Sequence, residues 1–170
     1  MNMTWHLKKG SSIKQSIFLG LLLLSFEAHA QDTLHGVNEM SKQLVYAFVD
    51  AINEHNVDTI CSLMTDDHKF IDSQGNESVG KEKMRAGWIG YFQLFPDYKI
   101  EVTDTFFHND TVAAFGFASG TFQGLKARKE NYWRLPASWK AIIKNEKILL
   151  WQVYADAKIP YDIISKAKKQ

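Results

Sequence analysis

Apolar side chains at Val37, Leu44, Phe48 and Ile52 recur at spacings of three to seven, which lines one face of a long helix over residues 33–55. Asn56 and Asp58 carry stop and start signals, so a short second helix is predicted over 57–64, with Asp58 accepting from the free amides of its first turn. Thr65, Asp66 and Asp67 end it. Residues 68–72 then read as a brief strand and the polar, glycine-bearing stretch 73–80 as a loop. A third helix over 81–95 places Met84, Trp88, Tyr91, Phe92 and Phe95 on one broad aromatic face before Pro96 stops it.

Beyond Pro96 the period changes from helical to two. Tyr98, Ile100 and Val102 alternate with Lys99, Glu101 and Thr103, as a half-buried strand requires. Asn109 and Asp110 form a turn into a strand over 111–122, in which Phe115 and Phe117 share one face and Gly116 and Gly120 the other, where glycine lets a strand bend. A polar, basic stretch over 123–134 predicts a long loop. Two more strands, 136–144 and 147–156, are expected to pair through the tight turn Asn145-Glu146, and residues 161–166 to close with a helical turn. Helices followed by a four-stranded antiparallel meander give an α+β class.

Composition changes this picture mainly at the start of the chain. Lys8, Lys9 and Lys14, the apolar run 17–26 and the triplet Ala28-His29-Ala30 are the three zones of a cleavable secretory signal over residues 1–30. That run holds ten residues, half of the roughly 20 that a membrane-spanning helix needs. The expected mature domain is therefore 31–170, exported to the periplasm or secreted, with no membrane span after cleavage. Without Lys8, Lys9, Lys14 and Glu27, the 20 basic and 19 acidic residues become 17 and 18, so the footprint of a nucleic-acid binder is missing. Cys61 is the one cysteine and sits between apolar neighbours, where a thiol behaves as a small buried hydrophobe. His35, His55, His68 and His108 show no metal-ligand spacing, and no phosphate loop or serine elbow is present, so neither a metal nor a cofactor is expected.

The helix running into Asn53-Glu54-His55-Asn56-Val57-Asp58, the step Thr65-Asp66-Asp67-His68, and the strand from Lys147-Ile148 to Tyr154-Ala155-Asp156 together resemble the nuclear transport factor 2-like superfamily, nearest its SnoaL-like polyketide cyclase group. The resemblance covers residues 38–165. It implies a cone-shaped roll, a curved antiparallel sheet wrapped around three N-terminal helices, with an apolar pocket at the open end. Relatives use that pocket for isomerases, cyclases, hydrolases and non-catalytic binders, and often pair through the outer face of the sheet, so a homodimer through residues such as Ile142 and Leu150 is a possible assembly. Fold alone does not assign the chemistry.

Carried over residue by residue, the resemblance puts the proton-moving carboxylate of the ketosteroid isomerase branch at Asp72. Desolvation beside an apolar pocket would raise its pKa toward a useful range. Capping of the following loop is the structural alternative. The two oxyanion donors of that branch fall on Phe48, which has no donor, and on Ser138, or on Trp139 with a slip of one. The cyclase positions fall at Val153 and near Trp139. His68 offers a polar partner near Asp72. Phe48, Trp88, Phe92, Phe115, Trp139 and Trp151 are the expected walls for a small, flat, apolar ligand. The reading is an exported binder of such a ligand, with a cofactor-free cyclase, isomerase or hydrolase using Asp72, Ser138 or His68 as its alternative.

Overall fold

In the computed structural model the described residues are 36, 39–122 and 129–167, and residues 38–170 cluster as one unit. The signal segment expected over 1–30, and 123–128 of the expected loop, lie outside the described residues.

Helix α1 occupies 39–53 and buries Val45, Phe48, Val49 and Ile52. It ends at His55, whose φ of +55° is left-handed. There the Asn56 N–H donates to the Ala51 carbonyl (2.9 Å) and the His55 N–H to that of Ile52 (3.0 Å), satisfying carbonyls that the helix leaves open. His55 holds this backbone because its ring is fixed twice. It stacks on Phe92 at 4.1 Å, and Nε2 donates to the Tyr98 carbonyl at 3.2 Å. Asn53 makes a second clip to the same stretch: Nδ2 donates to the Ile100 carbonyl (2.9 Å) while Oδ1 accepts the Ile100 N–H (2.7 Å).

Helix α2 spans Val57–Ser62. Its cap is Asn56, not the expected Asp58, because Asn56 holds the non-helical backbone a cap needs and its Oδ1 accepts the Thr59 N–H at 3.0 Å. Asp58 instead receives Arg85 Nη1 at 2.5 Å. Strand β1, Met64–Ile71, takes in Thr65, Asp66 and Asp67, since pairing starts as early as the Ile148 N–H donating to the Leu63 carbonyl at 2.8 Å. The expected loop after it holds a short strand, β2, Glu77–Val79, antiparallel to β1. Helix α3 follows at Lys81–Leu94, then β3 at Lys99–His108, β4 at Thr111–Thr121, a 3₁₀ turn at Lys129–Asn131, β5 at Tyr132–Lys144, β6 at Lys147–Ala155 and helix α4 at Lys158–Ala167.

The sheet is open and mixed, in the order β2-β1-β6-β5-β4-β3. The antiparallel meander is β3 to β6, joined at its end by the two-residue turn of Asn145 and Glu146, both with φ above +50°. The strand expected over 68–72 is the end of β1, and its parallel pairing with β6 makes the sheet mixed where an antiparallel one was expected. Along β5, Trp133, Leu135, Ala137, Trp139 and Ala141 turn to the core while Arg134, Pro136, Ser138, Lys140 and Ile142 take the opposite face. On that outer face Phe106, Phe115 and Tyr154 are exposed, and Ile142 pairs with Leu150.

His68 closes a gap in the ladder. Pairing of β1 with β6 shifts register between Met64 and Lys69, and within that gap His68 Nδ1 donates to the Ile148 carbonyl at 2.8 Å. The ring is fully buried, and burial lowers its pKa against the opposing effects of that hydrogen bond and Asp67. An unfolded chain therefore takes up a proton near the ordinary value of about 6.5 that the folded chain refuses. Stability is full above that pH and falls as pH drops below it. Urea midpoints at pH 7.5 and pH 5 should show a larger loss for the wild type than for His68→Asn; equal losses would remove His68 from the account.

Candidate functional site

The inner faces of β5 and β6 meet α3 and α4 around a cavity of about 450 Å³. Helical spacing brings Met84, Trp88 and Tyr91 of α3 to it, and the period of two brings Trp139 from β5 with Trp151 and Val153 from β6. Met84, Trp88, Phe95, Tyr98, Trp139 and Trp151 are buried and form the inner wall, whereas Asp72, Ser73, Ser78, Lys83, Leu94 and Tyr161 are partly or fully exposed and form the rim. The rings are mutually braced. Trp139 stacks on Trp151 at 6.2 Å, and Tyr91 meets Trp88 at 6.1 Å and Tyr98 at 4.9 Å edge to face.

Helix α4 supplies the remaining side with Pro160, Tyr161 and Ile164. Its Tyr161 hydroxyl donates to Gln74 Oε1 at 3.2 Å, tying it to the turn between β1 and β2. The helix has ten residues where the sequence suggested one closing turn.

Of the six expected walls, Trp88, Trp139 and Trp151 line the cavity. Phe48 does not: it is fully buried in the core, 5.1 Å from the Trp151 ring and 6.3 Å from His68. Phe92 is held between His55 and Trp88. Phe115 is 44% exposed on the outer face of the sheet, opposite Ser138 in register. Alternation therefore takes both Phe115 and Ser138 away from the cavity and turns Trp139 into it.

Asp72 reaches the rim, but its oxygens are occupied. Oδ1 accepts the N–H groups of Gln74 (2.8 Å) and Asn76 (2.9 Å), and Oδ2 accepts Asn76 Nδ2 (2.8 Å). Partial burial pushes the carboxyl pKa up, yet these hydrogen bonds outweigh it and hold the group below its usual value. That is opposite in direction to the rise expected of a base in an apolar pocket. Nor does His68 pair with it: its Nδ1 is committed to Ile148, and its buried Nε2 has no hydrogen-bond partner among the described residues.

Two groups on the inner wall stand out chemically. The indole N–H groups of Trp88 and Trp139 are buried and have no hydrogen-bond partner among the described residues; each such donor costs about 1–3 kcal/mol. Tyr91 and Tyr98 keep their protons, because burial raises both pKa values far above the physiological range. Tyr91 was legible as a wall from its place one turn after Trp88, and Tyr98 from its alternation with Ile100. Nothing in the sequence pointed to α4. Among the described residues no cluster of three or more His, Cys, Asp or Glu side chains could hold a metal, and no helix is long and apolar enough to cross a membrane.

A profile of the SnoaL-like domain matches residues 45–150. The chain belongs to the SnoaL-like domain family. None of the curated proteins matches it. Among solved structures, the SnoaL-like chain is similar to a Shewanella denitrificans protein classed as a SnoaL-like polyketide cyclase, at 15% identity over 74% of this chain and 97% of that one, with a TM-score of 0.65. It is similar to a Catenulispora acidiphila protein of ketosteroid isomerase-like fold in complex with trimethylamine, at 18% identity over 65% and 83%, TM-score 0.58. It also resembles a Mycobacterium tuberculosis epoxide hydrolase of the LEH-like type, at 12% identity over 77% and 93%, TM-score 0.63. These likenesses establish the fold, which hosts several chemistries. The profile match stops before α4, so the cavity wall made by Pro160, Tyr161 and Ile164 lies outside the matched segment.

Proposed function

We propose that this SnoaL-like domain binds a small, largely apolar molecule in the aromatic cavity, and that the chain is exported, with a mature terminus at Gln31. The observation that carries the first part is the wall of Trp88, Trp139, Trp151, Phe95 and Tyr98 around a volume suited to a small ligand. The solved relative holding trimethylamine supports a small-molecule role for the fold. Export rests on the basic, apolar and small-residue zones of residues 1–30. Mass spectrometry of the secreted or periplasmic chain checks it; a retained residue 1 discards it.

The second reading, a cofactor-free cyclase, isomerase or hydrolase with Asp72 as base, is favoured by the position of Asp72 on the cavity rim. Against it stands the lowered pKa and the three hydrogen bonds that occupy the carboxylate. Asp72→Asn separates the two. If Asp72 caps the turn, the variant loses about 1–2 kcal/mol of stability while ligand affinity, followed by tryptophan fluorescence against a panel of apolar compounds, stays within about twofold. Turnover of any bound compound that disappears in the variant would favour the enzyme, and a panel without a single hit would end the binding reading.

A further inference from the structure

Most of the cavity lining is at least partly buried, and its fully exposed members are Lys83, Gly87 and Leu94 of α3 and Tyr161 of α4. The sheet contributes none of them. Spacings of four and seven put Lys83, Gly87 and Leu94 on one edge of α3, beside the inward row of Met84, Trp88, Tyr91 and Phe95. Gly87 is the unexpected member of that edge. Glycine in the middle of a helix destabilises it relative to alanine, and packing does not account for the choice, since nothing lies within 4 Å of where a Cβ would stand. Backbone does not account for it either, because Gly87 is not among the glycines with positive φ. What a side chain there would obstruct is the space between solvent and cavity, both of which the residue borders. Gly90 has the same open surroundings but no place in the lining.

The side of the cavity formed by α4 is lightly held. None of the described side chains of α4 is buried, and Pro160, Ile163 and Ile164 are only half-buried. A helix of ten residues does not persist in water without support. Lys158 N–H donates to Asp156 Oδ1 at 3.0 Å, a local cap, and among the described residues the Tyr161 hydroxyl on Gln74 is the hydrogen bond that ties α4 to another part of the fold. Resting on the small-apolar-ligand reading, we propose that the ligand enters and leaves between α3 and α4, over Gly87, with α4 as the side that yields. Gly87 sets the width of the passage, and the Tyr161–Gln74 bond is its latch. Segments with few buried apolar contacts open most readily, which is what such a passage requires.

The probe is N-phenyl-1-naphthylamine, an uncharged aromatic whose emission rises in apolar surroundings, followed by stopped-flow fluorescence with the full mature chain. A narrower passage raises the same barrier in both directions, so association and dissociation should slow together. Gly87→Ala should slow both about threefold and Gly87→Leu at least about tenfold, with Kd held within about twofold. Gly87→Ala should also melt no lower than the wild type, which separates a blocked passage from a damaged fold. Gly90→Leu, the same change on the same helix away from the lining, should leave both rates as they are. Tyr161→Phe, which removes the latch and keeps the ring, should speed both rates about twofold or more. Wild-type rates in Gly87→Leu overturn the passage and leave the apolar-ligand reading standing. So does a weaker Kd in that variant from faster dissociation alone, which would make Gly87 part of the binding wall. Wild-type rates in Tyr161→Phe overturn the role of α4, and no binding of the probe by the wild type overturns both the passage and the ligand reading.

Discussion

Trp139→Ala should cost the fold about 3–5 kcal/mol, read as a fall in the urea midpoint at unchanged slope. The ring is 1% exposed, and it stands in β5 between Ala114 of β4 and Val153 of β6. It also stacks on Trp151, so its removal opens a void that two strands and a neighbouring ring cannot collapse to fill. Because one face of the residue borders the cavity, the same change enlarges the binding space and weakens affinity for a flat ligand. Trp139→Phe should cost less than half as much, since it keeps one aromatic ring and gives up the smaller ring of the indole, whose N–H has no protein partner. Equal losses for the two variants would mean that the single ring kept in phenylalanine contributes nothing to stability at this position. A loss under about 1 kcal/mol for the alanine variant would contradict the packing described here.

Gly116→Ala is the second large effect. A Cβ at this position would lie 1.8 Å from the Glu101 carbonyl oxygen and 2.9 Å from its carbon, and both are backbone atoms that no rotamer change can move. The contact lies where β3 shifts register between Val102 and Asp104 opposite β4. The strands must part to admit a methyl group, and a loss of at least about 3 kcal/mol is expected. Gly90→Ala is the control. Nothing lies within 4 Å of a Cβ there, and alanine in the middle of α3 should stabilise by about 0.5–1 kcal/mol. Thermal melts of both variants against the wild type provide the comparison, and a neutral Gly116→Ala would refute the close approach.

How much of this was legible follows the range of the interactions involved. The face of α3, the alternation of β3 and β5 and the Asn145-Glu146 turn are local matters, settled within a few residues by period and by backbone preference. Those came through. Strand β1 was cut short because Thr65, Asp66 and Asp67 look like a polar break. They lie within a strand because pairing with β6, some 80 residues later, brackets them at Met64 and Lys69. The cap of α2 was misassigned by two residues because asparagine and aspartate compete for one role, and the backbone at Asn56 decides between them.

The site divides along the same line. Trp88, Trp139 and Trp151 were accessible as walls because each is a large apolar ring on an inward position of its own element. Phe48, Phe92 and Phe115 have the same chemistry, and nothing local distinguishes them. Phe48 is sealed by Trp151 and His68, Phe92 is taken by His55, and Phe115 follows its strand's alternation to the outer face. Asp72 was read with two possible roles, and the hydrogen bonds that bear on them come from Gln74 and Asn76, whose N–H groups converge on it only once the β1–β2 turn has formed.

By itself, then, the sequence determined the α+β class, the inward faces of the elements that carry the cavity, and the family resemblance, because periodicity and turn chemistry are written within each element. The tertiary structure decided the parallel insertion of β1, the docking of α4 over the cavity and the isolation of two indole N–H groups on its wall. Each of these depends on distant segments meeting, and the unpaired donors become visible only when every possible partner has taken its place.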